Sequence, residues 1–161
     1  MPSVLETLQR RMYWIAANGA RKLYGLFPVF GTLRASLAVI HQDGKFLMIH
    51  RNDGRGVSLP GGISNWREAS EHTIDREVQE ETGMTVTAKR LILHFYSELE
   101  FPCNISLFEV QSTYGSPKSS WEGSPRWMTI AELEPQLVES QRPVLDIFRR
   151  IANGEKVSDL S

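Results

Sequence analysis

The sequence predicts an α+β domain in which a mixed β-sheet is flanked by helices. Three observations carry this expectation. Strand-like composition recurs over residues 33–40, 45–51, 85–96, 104–111 and 126–129. Residues 68–82 switch to helical spacing, with Gly83 placed as a C-terminal stop. A second helical stripe, Val144, Ile147, Phe148 and Ile151, closes the chain, with Ser140 as its expected N-cap.

Taken in order, the first element is a helix expected over residues 4–24. Leu5, Leu8, Met12 and Ile15 recur at three- and four-residue steps, and Asn18-Gly19 is a weak point. We divide the chain into an N-terminal helical extension, residues 1–30, and a main domain, residues 31–161. The extension has two readings, a helix packed on the domain or on a homodimer partner, and a basic membrane-surface helix. The strands 33–40 and 45–51 are expected to join through Gln42-Asp43-Gly44, because Asp-Gly supplies the positive backbone angles of a tight hairpin turn. A loop over 51–56 then leads to Leu59-Pro60-Gly61-Gly62, where the chain must turn sharply.

The 161 residues suit one domain with a real core, and two full domains would be cramped. Eighteen basic and 19 acidic residues give a net charge of -1, so no global positive field favours nucleic acid or an anionic membrane. Cys103 is the only cysteine, which excludes an internal disulfide and a cysteine-rich zinc site. Glu6, Arg10 and Arg11 interrupt a secretory signal, and Arg21 and Lys22 interrupt a membrane span, so a cytoplasmic protein is expected.

The informative segment is the helix over 68–82. At helical spacing Ile74, Val78 and Glu81 share one stripe, with Glu77 beside it and Glu80 one turn away. A carboxylate therefore takes a core-facing slot, where it must be protonated, paired or bound to a metal. Three glutamates at i, i+3 and i+4 repel one another, and Arg76 alone cannot neutralise them. A hard dication could, and magnesium, with its preference for oxygen ligands, suits a cluster without histidine better than zinc does. The alternative is a solvated helix face carrying an ordinary Arg76–Glu80 ion pair.

The surrounding residues favour the metal reading. Gly62, then Glu68 after five residues, then Arg76-Glu77-Val78-Gln79-Glu80-Glu81-Thr82-Gly83-Met84 after seven more, resembles the complete signature of the Nudix hydrolase family, to which MutT-like proteins belong. The preceding strands and the Trp127-Met128, Glu132-Leu133 ending extend the resemblance over about residues 31–153. One departure is Arg67, where many members have glycine. The resemblance implies an α/β/α sandwich and a hydrolase acting on phosphoanhydrides.

It also implies roles. Glu77, Glu80 and Glu81, with the carbonyl of Gly62, would hold Mg2+, for which Mn2+ is a candidate substitute. Glu77 would be ligand or water-orienting base, Arg76 would fix its carboxylate through a planar fork of donors, and Glu68 would support the loop. The glutamate that takes the proton varies within the family, so Glu80 and Glu122 are catalytic candidates as well. Glu122 is the candidate fourth carboxylate, with Glu98 and Glu100 as rivals. Arg51 and Arg55 are candidate phosphate contacts, and a plain solvated loop is the alternative. Trp66 offers an aromatic face for a base, against a packing or surface role. His41, His50, His72 and His94 share no spacing and receive no chemistry.

The expected function is a Mg-dependent pyrophosphohydrolase acting on a nucleoside triphosphate or another nucleoside-diphosphate-linked substrate. The expected partner is thus a small nucleotide, with no stable nucleic acid and no membrane. An isoprenoid diphosphate isomerase would need a further catalytic cysteine or acid, which Cys103 supplies poorly. The competitor of another class is a catalytically silent nucleotide-binding or regulatory module that kept the fold.

Overall fold

The protein is seen in a computed structural model that describes residues 32–99 and 102–156. The helix expected over 4–24 lies outside these residues. Among the described residues eight strands form two four-stranded sheets. The first has the order β5 (Gly61–Ile63), β1 (Leu33–Val39), β7 (Cys103–Tyr114), β6 (Thr85–Ser97). β1 runs parallel to β7 and antiparallel to β5, and β6 is antiparallel to β7, so this sheet is mixed as expected. In the second, β3 (Lys45–Arg51) is central and antiparallel to β2 (His41–Gln42), β4 (Val57–Ser58) and β8 (Gly123–Met128).

The turn chemistry is as the sequence suggests, but the hairpin is shorter. Asp43 and Gly44 have φ of 50° and 73°, the paired positive angles of a two-residue hairpin turn. Only β2 pairs with β3 across it, because the chain leaves the first sheet at Ile40, whose carbonyl accepts from Leu47 N–H at 2.8 Å. β1 is buried on both faces from Ala35 onward, and it takes β5 and β7 as neighbours instead of β3.

Alternation along the strands divides the core into two layers. Leu37, Val39, Phe46, Met48 and Leu107 pack on one side with Phe148. Ala38, Ile40, Leu47, Phe108 and Val110 pack on the other with Ile74 and Val78 of α1 (Ser70–Thr82). β1, β3 and β7 thus feed both layers, and helices cover both sides of the sheets. Phe46 and Phe148 meet edge to face, with centroids 4.8 Å apart.

The chain ends in α2 (Ile130–Leu133) and α3 (Leu145–Ala152). Val144, Ile147, Phe148 and Ile151 form the buried stripe, as the spacing predicts. Ser140 is not the cap of α3. It sits in a 3-10 turn, Glu139–Val144, that contains Pro143, and Val144 is the N-cap. Proline has no N–H to donate, which suits it to this tight turn before the regular helix.

Candidate functional site

α1 starts beside an exposed loop and ends on Gly83, whose φ of 71° completes a left-handed cap with its N–H on Gln79 O at 2.9 Å. Packing Ile74 and Val78 into the core rotates Glu77 and Glu81 inward, where both are buried, while Glu80 stays 55 % exposed at its side chain. The core-facing carboxylate expected at Glu81 is therefore present, and Glu77 joins it.

β5 brings backbone against this pair. Gly61 N–H donates to Glu81 Oε2 at 2.8 Å. A Cβ on Gly62 would lie 2.5 Å from Glu77 Oε1, so only glycine leaves room for the carboxylate to rest on the strand. Gly61 has a φ of 144°, and a Cβ there would fall 2.2 Å from the backbone oxygen of Ser36.

Arg76 ties the remaining acids together. Its Nε and Nη2 donate to the two oxygens of Glu68 at 3.0 Å each, Nη1 donates to Glu77 Oε1 at 2.7 Å and to Glu80 Oε2 at 3.3 Å, and Nη2 also reaches Ile63 O. This planar fork holds both oxygens of Glu68 while still reaching Glu77 and Glu80, a bidentate geometry that a lysine ammonium lacks. Glu68 also accepts from Asn65 N–H and Thr73 Oγ1. The Arg76 hydrogen bonds, followed by the Asn65 N–H, hold the Glu68 carboxyl down at about 2.

The second sheet delivers Glu122. Asn52 N–H donates to Glu122 O at 3.0 Å, and Asn52 Nδ2 donates to Trp121 O at 2.8 Å, fixing the turn just before β8. Gly123 lies so close to β3 that a Cβ would meet His50 O at 2.6 Å. From there the Glu122 side chain hydrogen-bonds to that of Glu81 and lies in the field of Arg51. Of its rivals, Glu98 accepts from Tyr96 Oη at 3.0 Å, and Glu100 lies outside the described residues.

Burial raises the pKa of Glu77, Glu81 and Glu122. For Glu81 the largest effect is desolvation, which the Gly61 N–H opposes and the charges of Glu122 and Glu77 reinforce. For Glu77, burial outweighs the hydrogen bond and charge of Arg76. Three carboxyls crowded in a partly dry site hold protons more tightly than free ones, and a cation would relieve both the desolvation and the mutual repulsion.

This donor set fits a hard divalent cation. Glu77, Glu81 and Glu122 lie within one another's electrostatic reach, Glu80 stands exposed beside them, and Gly62 leaves room for the Glu77 carboxylate. Among the described residues no three acidic, histidine or cysteine side chains form a ready-made metal cage. Magnesium commonly keeps several water or substrate oxygens among its six ligands, so an open acidic cradle matches its habits.

Arg51 and Arg55 both grip Asp53: Arg51 Nη2 at 2.8 Å and Arg55 Nε at 2.7 Å from Oδ2. Burial pushes the Asp53 carboxyl up, but the Arg51 hydrogen bond and charge outweigh it and hold the group below its ordinary value. Asp53 and Asn52 are organising residues that sequence reasoning passed over. The signal was an acid flanked by two arginines in Arg51-Asn52-Asp53-Gly54-Arg55. Trp66 is 89 % exposed, so the packing role is excluded. Cys103 lies in the opposite core layer, and burial pushes its thiol up to about 11. His41 pairs with Glu109 and His94 with Ser106.

The comparisons with known proteins agree with this architecture. A family model described as the NUDIX domain matches residues 32–148. A MutT-like protein of Streptomyces ambofaciens is 28 % identical over 113 residues, covering 70 % of this chain and 73 % of that protein. The MutT protein of Methanosarcina mazei Go1 superposes with a TM-score of 0.65 at 24 % identity, covering 78 % of this chain and 96 % of that one. The NUDIX domain of Shewanella oneidensis NrtR, solved with ADP ribose, superposes with a TM-score of 0.62 at 16 % identity, covering 75 % of this chain and 88 % of that one. Among the described residues no helix is long and apolar enough to cross a membrane. With a family match that spans most of its length and an acidic helix framed by Gly62 and Arg76, the chain belongs to the Nudix hydrolase family.

Proposed function

We propose that this chain is a magnesium-dependent pyrophosphohydrolase that cleaves a phosphoanhydride bond in a nucleoside triphosphate or another nucleoside-diphosphate-linked substrate. The observation that carries the reading is the mutual approach of Glu77, Glu81 and Glu122 beside Gly61 and Gly62, with Glu77 against Gly62 and Glu81 on Gly61 N–H, and burial raising the pKa of all three. The MutT-like relative supports pyrophosphohydrolase activity in general, and the ADP ribose bound by the Shewanella domain supports a nucleotide-derived ligand.

Glu77, Glu80, Glu81 and the Gly62 carbonyl are the proposed holders of Mg2+, for which Mn2+ is a substitute, and Glu122 is the fourth carboxylate. Bound magnesium supplies charge neutralisation on phosphoryl oxygens and a more acidic water. Glu77 takes the proton of the attacking water while Arg76 keeps its carboxylate oriented through Oε1. Arg76 in turn is anchored by both oxygens of Glu68, so the base sits on a fixed support and not on a free side chain. Gly61 N–H holds Glu81. Arg51 and Arg55, braced by Asp53, present guanidinium groups to substrate phosphates.

The test is release of phosphate or pyrophosphate from nucleoside triphosphates, nucleotide sugars, dinucleotides and capped RNA, first with magnesium and then with chelator. Turnover abolished by chelator and by Glu81→Gln, with the fold retained, is expected. Full activity of Glu81→Gln would overturn the proposal, and nucleotide binding without turnover in saturating magnesium or manganese would transfer the chain to the silent binding class.

A further inference from the structure

Among the described residues one buried side-chain polar atom has no hydrogen-bond partner, Ser36 Oγ. Ser36 is fully buried at the centre of β1. Buried hydroxyls cost free energy when unpaired, so an isolated one in an otherwise satisfied structure calls for a physical reason.

Strand register locates its side chain. Ser36 is the cross-strand partner of Gly62 on one side and of Ser106 on the other. Along β1, Ala38 and Ile40 enter the core layer of α1, and alternation sends Ser36 to that same face. Directly opposed antiparallel residues project to one face with their Cβ positions about 5 Å apart. The Cβ direction of Gly62 runs into the Glu77 carboxylate, at 2.5 Å from Oε1 and 2.8 Å from Oε2. The Ser36 hydroxyl and the Glu77 carboxylate are thus neighbours on a single buried face.

The other directions are taken. Ser106 Oγ donates to Ser70 Oγ at 3.2 Å and pairs with His94 Nδ1 at 3.0 Å. Thr73 Oγ1, one helical turn before Glu77, lies within hydrogen-bond distance of Ser64 Oγ and Glu68 Oε2, which between them engage its one proton. On the carboxylate, Oε1 accepts from Arg76 at 2.7 Å, which leaves Oε2 as the oxygen that the Arg76 fork does not hold. A buried donor without an acceptor therefore lies beside a carboxylate that Arg76 grips through its other oxygen.

We infer that Ser36 is a positioning residue whose hydroxyl donates to Glu77 Oε2 when the site is loaded, opposite the grip of Arg76 on Oε1. The inference rests on the reading of Glu77 as a metal-site carboxylate and base. Two donors on different oxygens fix the carboxylate plane, where Arg76 alone leaves it free to swing about one contact. The hydroxyl stays unpaired until the carboxylate turns toward its bound partners, so its cost to stability is exchanged for orientation during turnover.

The test uses the full chain with magnesium and whichever nucleotide the panel identifies. Wild-type turnover and its loss in Glu81→Gln come first, since their failure would count against the proposed function alone. Ser36→Ala is then expected to lower kcat roughly tenfold or more, the scale of ligand-orienting partners, with KM within about twofold. Its metal-free melting temperature should stay level or rise, because an unpaired buried polar group has been removed. In a Glu77→Gln background, Ser36→Ala should cost less than about twofold further in kcat, since groups acting through one another are not additive. Wild-type kcat in Ser36→Ala would overturn the inference. So would an equal loss from Ser36→Ala with and without Glu77.

Discussion

Glu77 and Gly62 are so close that the carboxylate occupies the space where a side chain at position 62 would begin. The obstacle is the end of a flexible side chain, so Gly62→Ala can be accommodated by pushing Glu77 away from Arg76. The φ of Gly62 is one that alanine tolerates. We expect Gly62→Ala to fold but to lose about a hundredfold in turnover, the scale of a roughly 1 Å misplacement of a reacting group. Gly61→Ala should behave in the opposite way. Its Cβ would strike backbone at Ser36 with a φ of 144°, and strain of roughly 3 kcal/mol would lower the melting temperature by roughly 10 °C. Parallel melting curves and kinetics on the two variants separate these outcomes.

Arg67 stands where many relatives of this signature have glycine, and its φ is 61°. The left-handed region costs a non-glycine residue about 1–2 kcal/mol, from which glycine's extra chain entropy subtracts about 0.5–1 kcal/mol. Arg67→Gly is therefore expected to stabilise the fold by about 0.5–1 kcal/mol, visible as a rise of roughly 1–4 °C in melting temperature. Arg67→Ala keeps the strained backbone and should show no such gain. A gain in both variants would place the effect in the arginine side chain.

How much of this was legible in the sequence depends on the range of the interactions. α1 was readable because its signals are local: Ile74, Val78 and Glu81 share a face at fixed spacing, and Gly83 is the stop that helix geometry requires. The Asp43-Gly44 turn was readable for the same reason. The division into two sheets was not, because it depends on β1 pairing in parallel with β7 some seventy residues later, a long-range choice with no local mark. The α3 cap was misplaced because Pro143 imposes a 3-10 turn that outweighs the capping preference of Ser140. Glu122 was named through resemblance alone. What brings it to Glu81 is the pairing of β8 with β3 and the Asn52 N–H, neither of which spacing reveals.

The raised and lowered carboxyls give the metal-free protein a stability profile with two opposed limbs. Burial raises Glu81 above the ordinary value of 4.5, so its ionised form costs stability at neutral pH. That cost disappears as pH falls through the raised value toward 4.5 and the folded state takes up the proton. Glu68 runs the other way. With its carboxyl held at about 2 by Arg76, it contributes stability that is complete above 4.5 and is lost as pH falls toward 2. Melting curves in chelator from about pH 3 to about pH 8 should therefore peak on the acid side of neutrality. Differences from wild type isolate each group: Glu81→Gln should flatten the neutral limb, and Glu68→Gln the acid limb. A neutral limb that is the same in Glu81→Gln would show that Glu81 is not the buried carboxylate responsible.

Glu122 should show stability and activity moving in opposite directions. It hydrogen-bonds to Glu81 inside a partly buried site, and its charge helps to raise the Glu81 pKa. In metal-free protein, Glu122→Gln removes a like charge and leaves an amide able to donate to Glu81, so the melting temperature is expected to rise. With divalent ion the order reverses. At about one hundred times its dissociation constant, a ligand specific to the folded state stabilises by about 2.7 kcal/mol. A cradle that has lost one carboxylate binds more weakly and gains less at the same magnesium concentration. Turnover should fall with it. Glu98→Gln is the control, because Glu98 bonds to Tyr96 and lies outside the carboxylate cradle. Titrating magnesium against melting temperature for wild type, Glu122→Gln and Glu98→Gln decides the matter. Equal metal-induced shifts in all three would remove Glu122 from the site, whereas a reduced shift in Glu122→Gln alone would make it the fourth acid.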